Sequence, residues 1–181
     1  MVFFDVLARR FACRAFCGQV TDSQLERLKE AVQQAPSAFN SQYLRYTFIT
    51  DPKILDLLNR SIWAYYEDLK DLETLDRLKS RHESALYGAP LCVVITGPDK
   101  KYSPFDAGIA AQTLALSATA LGLGSVICAA NGVFPGGPLG SQVMEALALP
   151  EDHAFQLSVL IGPIEQSKEP HSYDGHQIVS L

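Results

Sequence analysis

Apolar residues recur along the chain with two periods, one typical of helices and one typical of strands. Apolar residues at helical spacing, behind a capping box formed by Thr21 and Gln24, predict a helix over residues 22–34 that ends before Pro36. Further helices are predicted over residues 3–10, 51–60, 61–86, 103–122 and 137–149. Strands or extended segments are predicted over residues 46–50, 89–97, 125–130 and 154–163.

The order of these elements predicts the fold class. Helices and strands are mixed without the strict alternation of a doubly wound sheet, which favours an α+β fold. A chain of 181 residues without internal repeats or a linker is interpreted as a single domain, residues 1–181. Residues 164–181 form a long tail for such a domain, and we interpret this tail as a C-terminal arm that reaches a second subunit.

Composition and charge exclude several classes of function. The chain is 48% hydrophobic with a mean hydropathy of +0.06, which is enough for a packed core. A net charge of −5 argues against a nucleic-acid partner. No run reaches the roughly 18 apolar residues needed to cross a bilayer. The N-terminal charges follow the apolar residues, unlike those of a secretory signal, so we expect a cytoplasmic protein with no membrane partner.

The cysteines and histidines give little indication of chemistry. The spacing of Cys13, Cys17, Cys92 and Cys128 does not match a zinc site, and we expect no metal. No Ser-His-Asp arrangement is evident. His82 is interpreted as a surface residue of the charged helix over residues 61–86.

Three arginines near the N-terminus are the densest group of cations. Arg9, Arg10 and Arg14 lie within six residues, although the whole chain contains only 15 lysines and arginines. Arg10 and Arg14 would share one helix face if the first helix continued, and two guanidiniums on one face suit a phosphate. The alternative is a solvated helix end, where arginine complements the carbonyl dipole. No G-x-G-x-x-G or P-loop motif is present.

Four blocks of sequence, taken in order, resemble the nitroreductase family of FMN-dependent oxidoreductases. The first is RRFACRAF (9–16), and the second is the junction APSAFNSQYLRYTFITD (35–51). The third joins GAPLCVVITG (88–97) to DAGIAAQTLALSATALGLGS (106–125), and the fourth is VMEALALPEDHAFQLSVLIGPIEQSKEP (143–170). Taken without the other blocks, the proline, serine and asparagine residues of this junction predict a turn. In the family, the corresponding segment lines a flavin.

The resemblance implies a fold, a partner and an activity. The expected fold is a central, mainly antiparallel or mixed sheet flanked by helices, in an interlocked homodimer with FMN at the subunit interface. The expected activity is ping-pong hydride transfer from NADH or NADPH, through the flavin N5, to a nitroaromatic, quinone or related small-molecule acceptor. The flavin carries this chemistry, so no catalytic side chain is expected.

The resemblance also implies roles for individual residues. Arg10 and Arg14 would hold the flavin phosphate and the N1/O2 edge of the ring, with Arg9 nearby. The amides of Asn131 and Gly132 would face N5, and Lys168 would match a late phosphate ligand. Four residues would approach from the other subunit: Pro36, Ser37, Asn40 and Gln42.

Several positions depart from the family pattern, and other functions stay open. Ala12 stands where the family often has serine, Phe11 replaces a commonly polar residue, and Tyr43 with Leu44 stands where Pro-Trp is usual. The alternatives are a specialised flavin chemistry (dehydrogenation, flavin fragmentation or dehalogenation) and a flavin-binding redox sensor or carrier without turnover. A third alternative is a structural dimer without cofactor.

Overall fold

A computed structural model describes residues 2–166, 175 and 178–180, with the side chains of all of these except residues 130 and 131. The predicted site residue Lys168 and most of the predicted arm lie outside the described residues. The described part of the chain contains six α-helices: α1 (Phe3–Arg9), α2 (Asp22–Gln33), α3 (Pro52–Asp68), α4 (Leu72–Lys79), α5 (Ser103–Ala120) and α6 (Gly140–Leu147). It also contains four strands: β1 (Arg45–Ile49), β2 (Leu91–Pro98), β3 (Gly124–Cys128) and β4 (His153–Gly162).

The four strands form one antiparallel sheet in the order β1-β2-β4-β3. This arrangement confirms the predicted α+β fold. Strand β2 and the second half of β4 are buried on both faces, which is why β2 in particular reads as an almost unbroken apolar run. Side chains that alternate along β2 enter different clusters: Val93 and Ile95 face one cluster, while Cys92 and Val94 face the other.

Helix α5 packs closely against one face of the sheet because its inward side chains are small. Ala107, Ala110, Ala111 and Ala118 are completely buried in the cluster that also contains residues of β2 and β4. Gly122, with φ of +76°, follows the helix and reverses the chain into β3, as predicted. The Thr21–Gln24 capping box at the start of α2 is also confirmed.

The predicted boundary between helices at residues 60 and 61 was wrong. Helix α3 continues to Asp68, and Lys70 then adopts a left-handed conformation with φ of +54°. Asp71 begins α4 by accepting a hydrogen bond from the Thr74 N–H at 3.0 Å. Helix α4 ends at Lys79, so residues 80–86 lie outside the charged helix predicted to include them.

The segment after α1 extends the sheet at its β3 edge. Helix α1 ends at Arg9, and Ala12 then pairs with Ser125 in the parallel direction, with a 2.9 Å hydrogen bond from the Cys13 N–H to the Ser125 carbonyl. Gly124 permits this approach, since a Cβ there would lie 2.8 Å from the Cβ of Cys13. Arg10 and Arg14 therefore do not share one helix face, because no helix continues through them.

The two edges of the sheet are far apart. From β1 to the segment at residues 11–16 there are four inter-strand steps, each of about 4.8 Å, which amounts to about 19 Å. The residues that precede β1 and the residues that follow α1 therefore lie at opposite edges of the sheet. Within the described residues, no helix is both long enough and apolar enough to cross a membrane.

Candidate functional site

A cavity of about 350 Å³ lies beside the N-terminal segment. Its walls come from three parts of the chain that are distant in sequence. Arg14 and its neighbours Phe11, Ala12 and Ala15 form one wall. Arg81 and His82, which follow α4, and residues 165–166, which follow β4, form the others.

Arg14 is held at this cavity by the pairing of its segment with β3. Its neighbour Cys13 is buried against Gly124, so the extended chain leaves the Arg14 side chain exposed. Burial raises the pKa of the Cys128 thiol to about 11, and the nearby Arg14 guanidinium acts in the opposite direction. The Arg14 guanidinium is therefore near enough to act on Cys128, the last residue of β3. The segment with Asn131 and Gly132, which is predicted to face the flavin N5, follows this strand.

Arg9 and Arg10 occupy the end of α1 and are not among the residues that line the cavity. The Arg10 N–H donates to the Val6 carbonyl at 3.0 Å and so completes the last turn of the helix. Arg10 is partly buried, whereas Arg9 is exposed. Of the three arginines predicted to bind a phosphate or a ring edge, the structure brings only Arg14 into the cavity.

The predicted flavin-lining junction is an exposed turn between α2 and β1. The Ser37 hydroxyl accepts a hydrogen bond from the Gln42 N–H at 3.1 Å, and the Gln42 side chain donates to the Asn40 side chain at 2.9 Å. Phe39, Asn40 and Gln42 all have positive φ, at 57°, 53° and 49°. Pro36, Asn40 and Gln42 are exposed, and Phe39 is 91% exposed.

The buried carboxylate of Asp106 anchors this turn to the first turn of α5. One carboxylate oxygen accepts from the Ala38 N–H at 3.0 Å, and the other accepts from the Tyr43 hydroxyl at 2.8 Å. Tyr43 departs from the family pattern, and its hydroxyl has a defined structural role as a donor to Asp106. Charge-assisted hydrogen bonds of this kind offset the cost of a strained backbone.

The segment predicted to face N5 forms a short 3-10 turn, Ala130–Val133, directly after β3. The Gly132 N–H donates to the Ala129 carbonyl at 3.0 Å. A flavin contact with this N–H therefore requires a shared hydrogen bond or a rearranged turn. Gly132 also lies against Phe155, because a Cβ at residue 132 would be 3.0 Å from the aromatic ring.

The structure divides the predicted site residues into two groups. Arg14 and the 130–133 turn lie near the β3 edge, whereas Pro36, Ser37, Asn40 and Gln42 precede β1 at the opposite edge. One chain does not bring the two groups together. Among the described residues, no group of three or more His, Cys, Asp or Glu side chains is arranged to hold a metal ion.

Sequence reasoning missed two cavity residues, Arg81 and His82. Both fall within the charged helix predicted over residues 61–86, and the interpretation of His82 as a surface residue of that helix is wrong, because it lies beyond the end of α4 and is partly buried. The helix ends at Lys79, and the next residues turn towards the N-terminal segment. No motif in the sequence marks this turn, because it depends on contacts between residues about 65 positions apart.

The model of the nitroreductase family matches residues 7–162. A nitroreductase with bound FMN from Desulfitobacterium hafniense DCB-2 is similar at 30% identity and a TM-score of 0.92, with 100% of both chains covered. A nitroreductase with bound FMN from Bacteroides fragilis NCTC 9343 has 23% identity and a TM-score of 0.87, with 100% of this chain and 99% of the other covered.

A third solved structure, an FMN-dependent nitroreductase from Clostridium difficile R20291, is similar at 19% identity and a TM-score of 0.82 over 99% of this chain and 98% of the other. At this identity the likeness establishes the fold alone. No curated protein sequence matches the chain. The family match over residues 7–162, the 30% identity to one solved structure and the shared fold lead to one conclusion: the chain belongs to the nitroreductase family.

Proposed function

We propose that this protein is an FMN-dependent oxidoreductase that takes a hydride from NADH or NADPH and passes it to a nitroaromatic, quinone or related acceptor. The observation that carries the proposal is the place of Arg14. The family's basic N-terminal motif delivers this guanidinium into a cavity of about 350 Å³ beside the end of β3. Family membership and the FMN bound in two similar structures support the choice of cofactor.

The side chains of the cavity suit FMN. The lining includes two guanidiniums, one imidazole and one carboxylate, that of Glu165, so the cavity favours a ligand rich in anionic groups and hydrogen-bond acceptors. The phosphate and the ring carbonyls of FMN have these properties. Arg14 and Arg81 are exposed, and none of the ion pairs among the described residues involves either of them.

Bound FMN would supply the hydride-transfer chemistry at its N5 atom. The role of the protein in that chemistry is to position the flavin ring and to determine the electrostatic charge around it. A guanidinium about 4 Å from a developing negative charge is worth on the order of 4 kcal/mol at an intermediate dielectric constant, before desolvation is subtracted. Arg14 would thus favour negative charge at the edge of the ring that it contacts.

We also propose that two protomers form each site. The turn at residues 36–42 and the cavity are on opposite edges of one chain, so only a second copy can bring the turn to the cavity. Helix α5 supports a dimer because apolar side chains occur on its outward face as well as its inward face. Phe105 is 66% exposed and Ile109 is 40% exposed in the single chain.

The function is tested by the absorbance spectrum of the purified protein and by anaerobic titration with NADH and NADPH. We expect a flavin spectrum that bleaches with one or both reductants and recovers when a nitroarene or a quinone is added. Arg14→Ala should weaken FMN binding or lower its reduction potential, because it removes the cation beside the ring. Lys79→Ala removes an exposed cation from α4 and serves as the matched control.

Two outcomes would contradict the proposal. The first is a protein that binds no FMN at micromolar concentration. The second is equal FMN affinity and potential in the Arg14→Ala and Lys79→Ala variants. A protein that binds FMN but is not reduced by NADH or NADPH would favour the redox sensor or carrier instead.

A further inference from the structure

A cluster of aromatic and cationic side chains lies beside the 36–42 turn and is separate from the cavity that Arg14 lines. It combines Phe39 of the turn with Lys100, Lys101 and Tyr102, which belong to the loop of residues 99–102 between β2 and α5. All four side chains are exposed. Because the turn is proposed to approach a flavin, a cluster attached to it would border the space in which substrates bind.

The aromatic part of the cluster is open to solvent. The rings of Phe39 and Tyr102 meet edge to face, with 5.8 Å between their centroids and an angle of 71°. Phe39 is almost fully exposed and has a φ of 57°, a strained conformation for a bulky residue. Packing within the chain does not account for an exposed ring on a strained backbone, whereas contact with the aromatic ring of a ligand does.

Three hydrogen bonds define the backbone of the 99–102 loop. The hydroxyl of Ser103, a buried residue, donates to the Pro98 carbonyl at 2.6 Å, and the Lys100 N–H donates to the same carbonyl at 2.8 Å. The Ser103 N–H donates to the Lys100 carbonyl at 3.1 Å. These bonds close the loop into a tight turn, so its lysines extend from a well-defined position.

Both lysines of the loop contact aromatic rings. The Nζ atom of Lys100 lies 5.4 Å from the centroid of the Tyr43 ring, and that of Lys101 lies 5.3 Å from the centroid of the Tyr102 ring. Each distance is within the range of a cation–π interaction. These contacts hold two positive charges at the aromatic cluster, and the N–H groups of an ammonium can still donate to a ligand.

The loop is positively charged although the chain as a whole is acidic. Lys100 and Lys101 are the only adjacent lysines in a sequence whose net charge is −5. None of the ion pairs among the described residues involves these lysines or Asp99 beside them, so two ammonium groups and one carboxylate give the loop a net charge of +1. The buried carboxylate of Asp106 already accepts two hydrogen bonds. Exposed rings next to unpaired cations complement an aromatic acid.

We propose that Phe39 and the 99–102 loop form a subsite for an acceptor that carries a carboxylate on an aromatic ring. The ring of this acceptor packs against Phe39 and Tyr102, and its carboxylate binds the ammonium groups of Lys100 and Lys101. This inference rests on the proposed function, because the acceptor is reduced through the flavin. It deepens that function by naming acidic aromatic compounds as preferred over neutral ones.

The test compares an acidic acceptor with a neutral one of the same shape, 4-nitrobenzoate and 4-nitrobenzamide, using FMN-loaded protein with NADH or NADPH. Each turnover takes one hydride from the nicotinamide and one proton from the solvent, converts the nitro group into a nitroso group and releases one water molecule. The ratio of the two kcat/KM values measures the preference. Benzoate and benzamide are not reduced, so their dissociation constants, measured by calorimetry, give a readout that is independent of turnover.

Three variants separate the charge from the ring. The double variant Lys100→Gln/Lys101→Gln removes both charges of the loop, and Phe39→Leu removes the exposed ring. The control is Lys53→Gln/Lys79→Gln, which removes the same charge from exposed residues of α3 and α4. Circular dichroism confirms that each variant is folded.

We expect wild type to bind benzoate more tightly than benzamide and to prefer 4-nitrobenzoate. This preference should fall by about fivefold in Lys100→Gln/Lys101→Gln, because two exposed charge pairs are lost. It should also fall in wild type as the salt concentration rises. Phe39→Leu should weaken benzoate and benzamide alike, by about fivefold, because both ligands have the same ring. The control should keep the wild-type preference.

Four results would overturn the inference. If the preference is the same in Lys100→Gln/Lys101→Gln as in wild type, the lysines do not bind the carboxylate, and the proposed function still stands on Arg14. If that variant reacts more slowly with NADPH but not with NADH and binds benzoate normally, the lysines bind the phosphate of the reductant. If Phe39→Leu changes neither dissociation constant, the aromatic pair does not hold the ring. If wild type binds no FMN, both the inference and the proposed function fail.

Discussion

Positive φ angles identify the residues at which this chain adopts a strained backbone. Among the described residues, the non-glycine positions of this kind are Phe39, Asn40, Gln42, Lys70, Tyr87 and Ala148. Left-handed conformations cost non-glycine residues roughly 1–2 kcal/mol each. Three of the six lie in the 36–42 turn, where polar side chains are exposed and where we propose that a flavin binds. Strain concentrated at such a turn is typical of a functional site.

A comparison of Gln42→Gly with Lys70→Gly distinguishes the effect of backbone strain on stability from the effect of a side chain on FMN binding. Both substitutions place glycine at a positive φ, so Lys70→Gly should raise the free energy of unfolding of the FMN-free protein by up to about 1 kcal/mol, and Gln42→Gly should raise it by less because it also removes the hydrogen bond to Asn40. Lys70→Gly should leave FMN affinity unchanged because Lys70 only ends α3. Gln42→Gly should lower FMN affinity because it removes a proposed ligand. Urea denaturation and FMN titration measure the two quantities, and unchanged FMN affinity in Gln42→Gly would remove Gln42 from the site.

The secondary structure elements differ in how far local sequence determines them. The bounds of β2 and β4 were predicted within two residues because β2 and the second half of β4 are buried on both faces and carry mostly apolar side chains. α1 ends at Arg9 although no residue after it breaks a helix locally. Pairing of Ala12 and Cys13 with Ser125 at the edge of β3 ends it, and that contact is about 110 residues distant in sequence.

The candidate site also depends in part on contacts between residues that are distant in sequence, and local sequence does not determine those contacts. The motif residues Arg14, Ser37, Asn40 and Gln42 could be selected from sequence because they belong to a known pattern of residue types. Arg81 and His82 could not be selected from sequence, because their position in the cavity depends on where α4 ends. The distance between Arg14 and the 36–42 turn likewise depends on strand order, which the sequence pattern does not specify.

At the scale of elements, the contact between Tyr43 and α5 is expected to hold the 36–42 turn in place. Tyr43→Phe removes the 2.8 Å hydrogen bond from the hydroxyl to Asp106 and should lower the free energy of unfolding by about 1.5–3 kcal/mol. FMN affinity should also fall, because the turn is less well ordered. Tyr102→Phe is the control, since Tyr102 lies nearby without a comparable bond to Asp106. Equal stability of the two variants by urea denaturation would show that the hydrogen bond does not anchor the turn.

At the scale of the whole molecule, the proposed functional unit is a dimer, of which one chain is half. Four inter-strand steps, about 19 Å of sheet, lie between β1, which follows the 36–42 turn, and the segment that carries Arg14. In the two-fold dimer that we propose, the cavity of one protomer would meet the turn of its partner, and the same contact would recur at the second site. The apolar outward side chains of α5, such as Phe105 and Ile109, would then be covered.

Complementation between two defective variants tests this account most directly. Arg14→Ala and Gln42→Gly proteins are unfolded together, refolded as a mixture and titrated with FMN. If each site takes Arg14 from one protomer and Gln42 from the other, each mixed dimer has one intact site and one doubly defective site. Random pairing then restores high-affinity binding to roughly one site in four, although each variant alone shows none. Mixed dimers that form but recover no high-affinity FMN site would contradict a site shared between protomers.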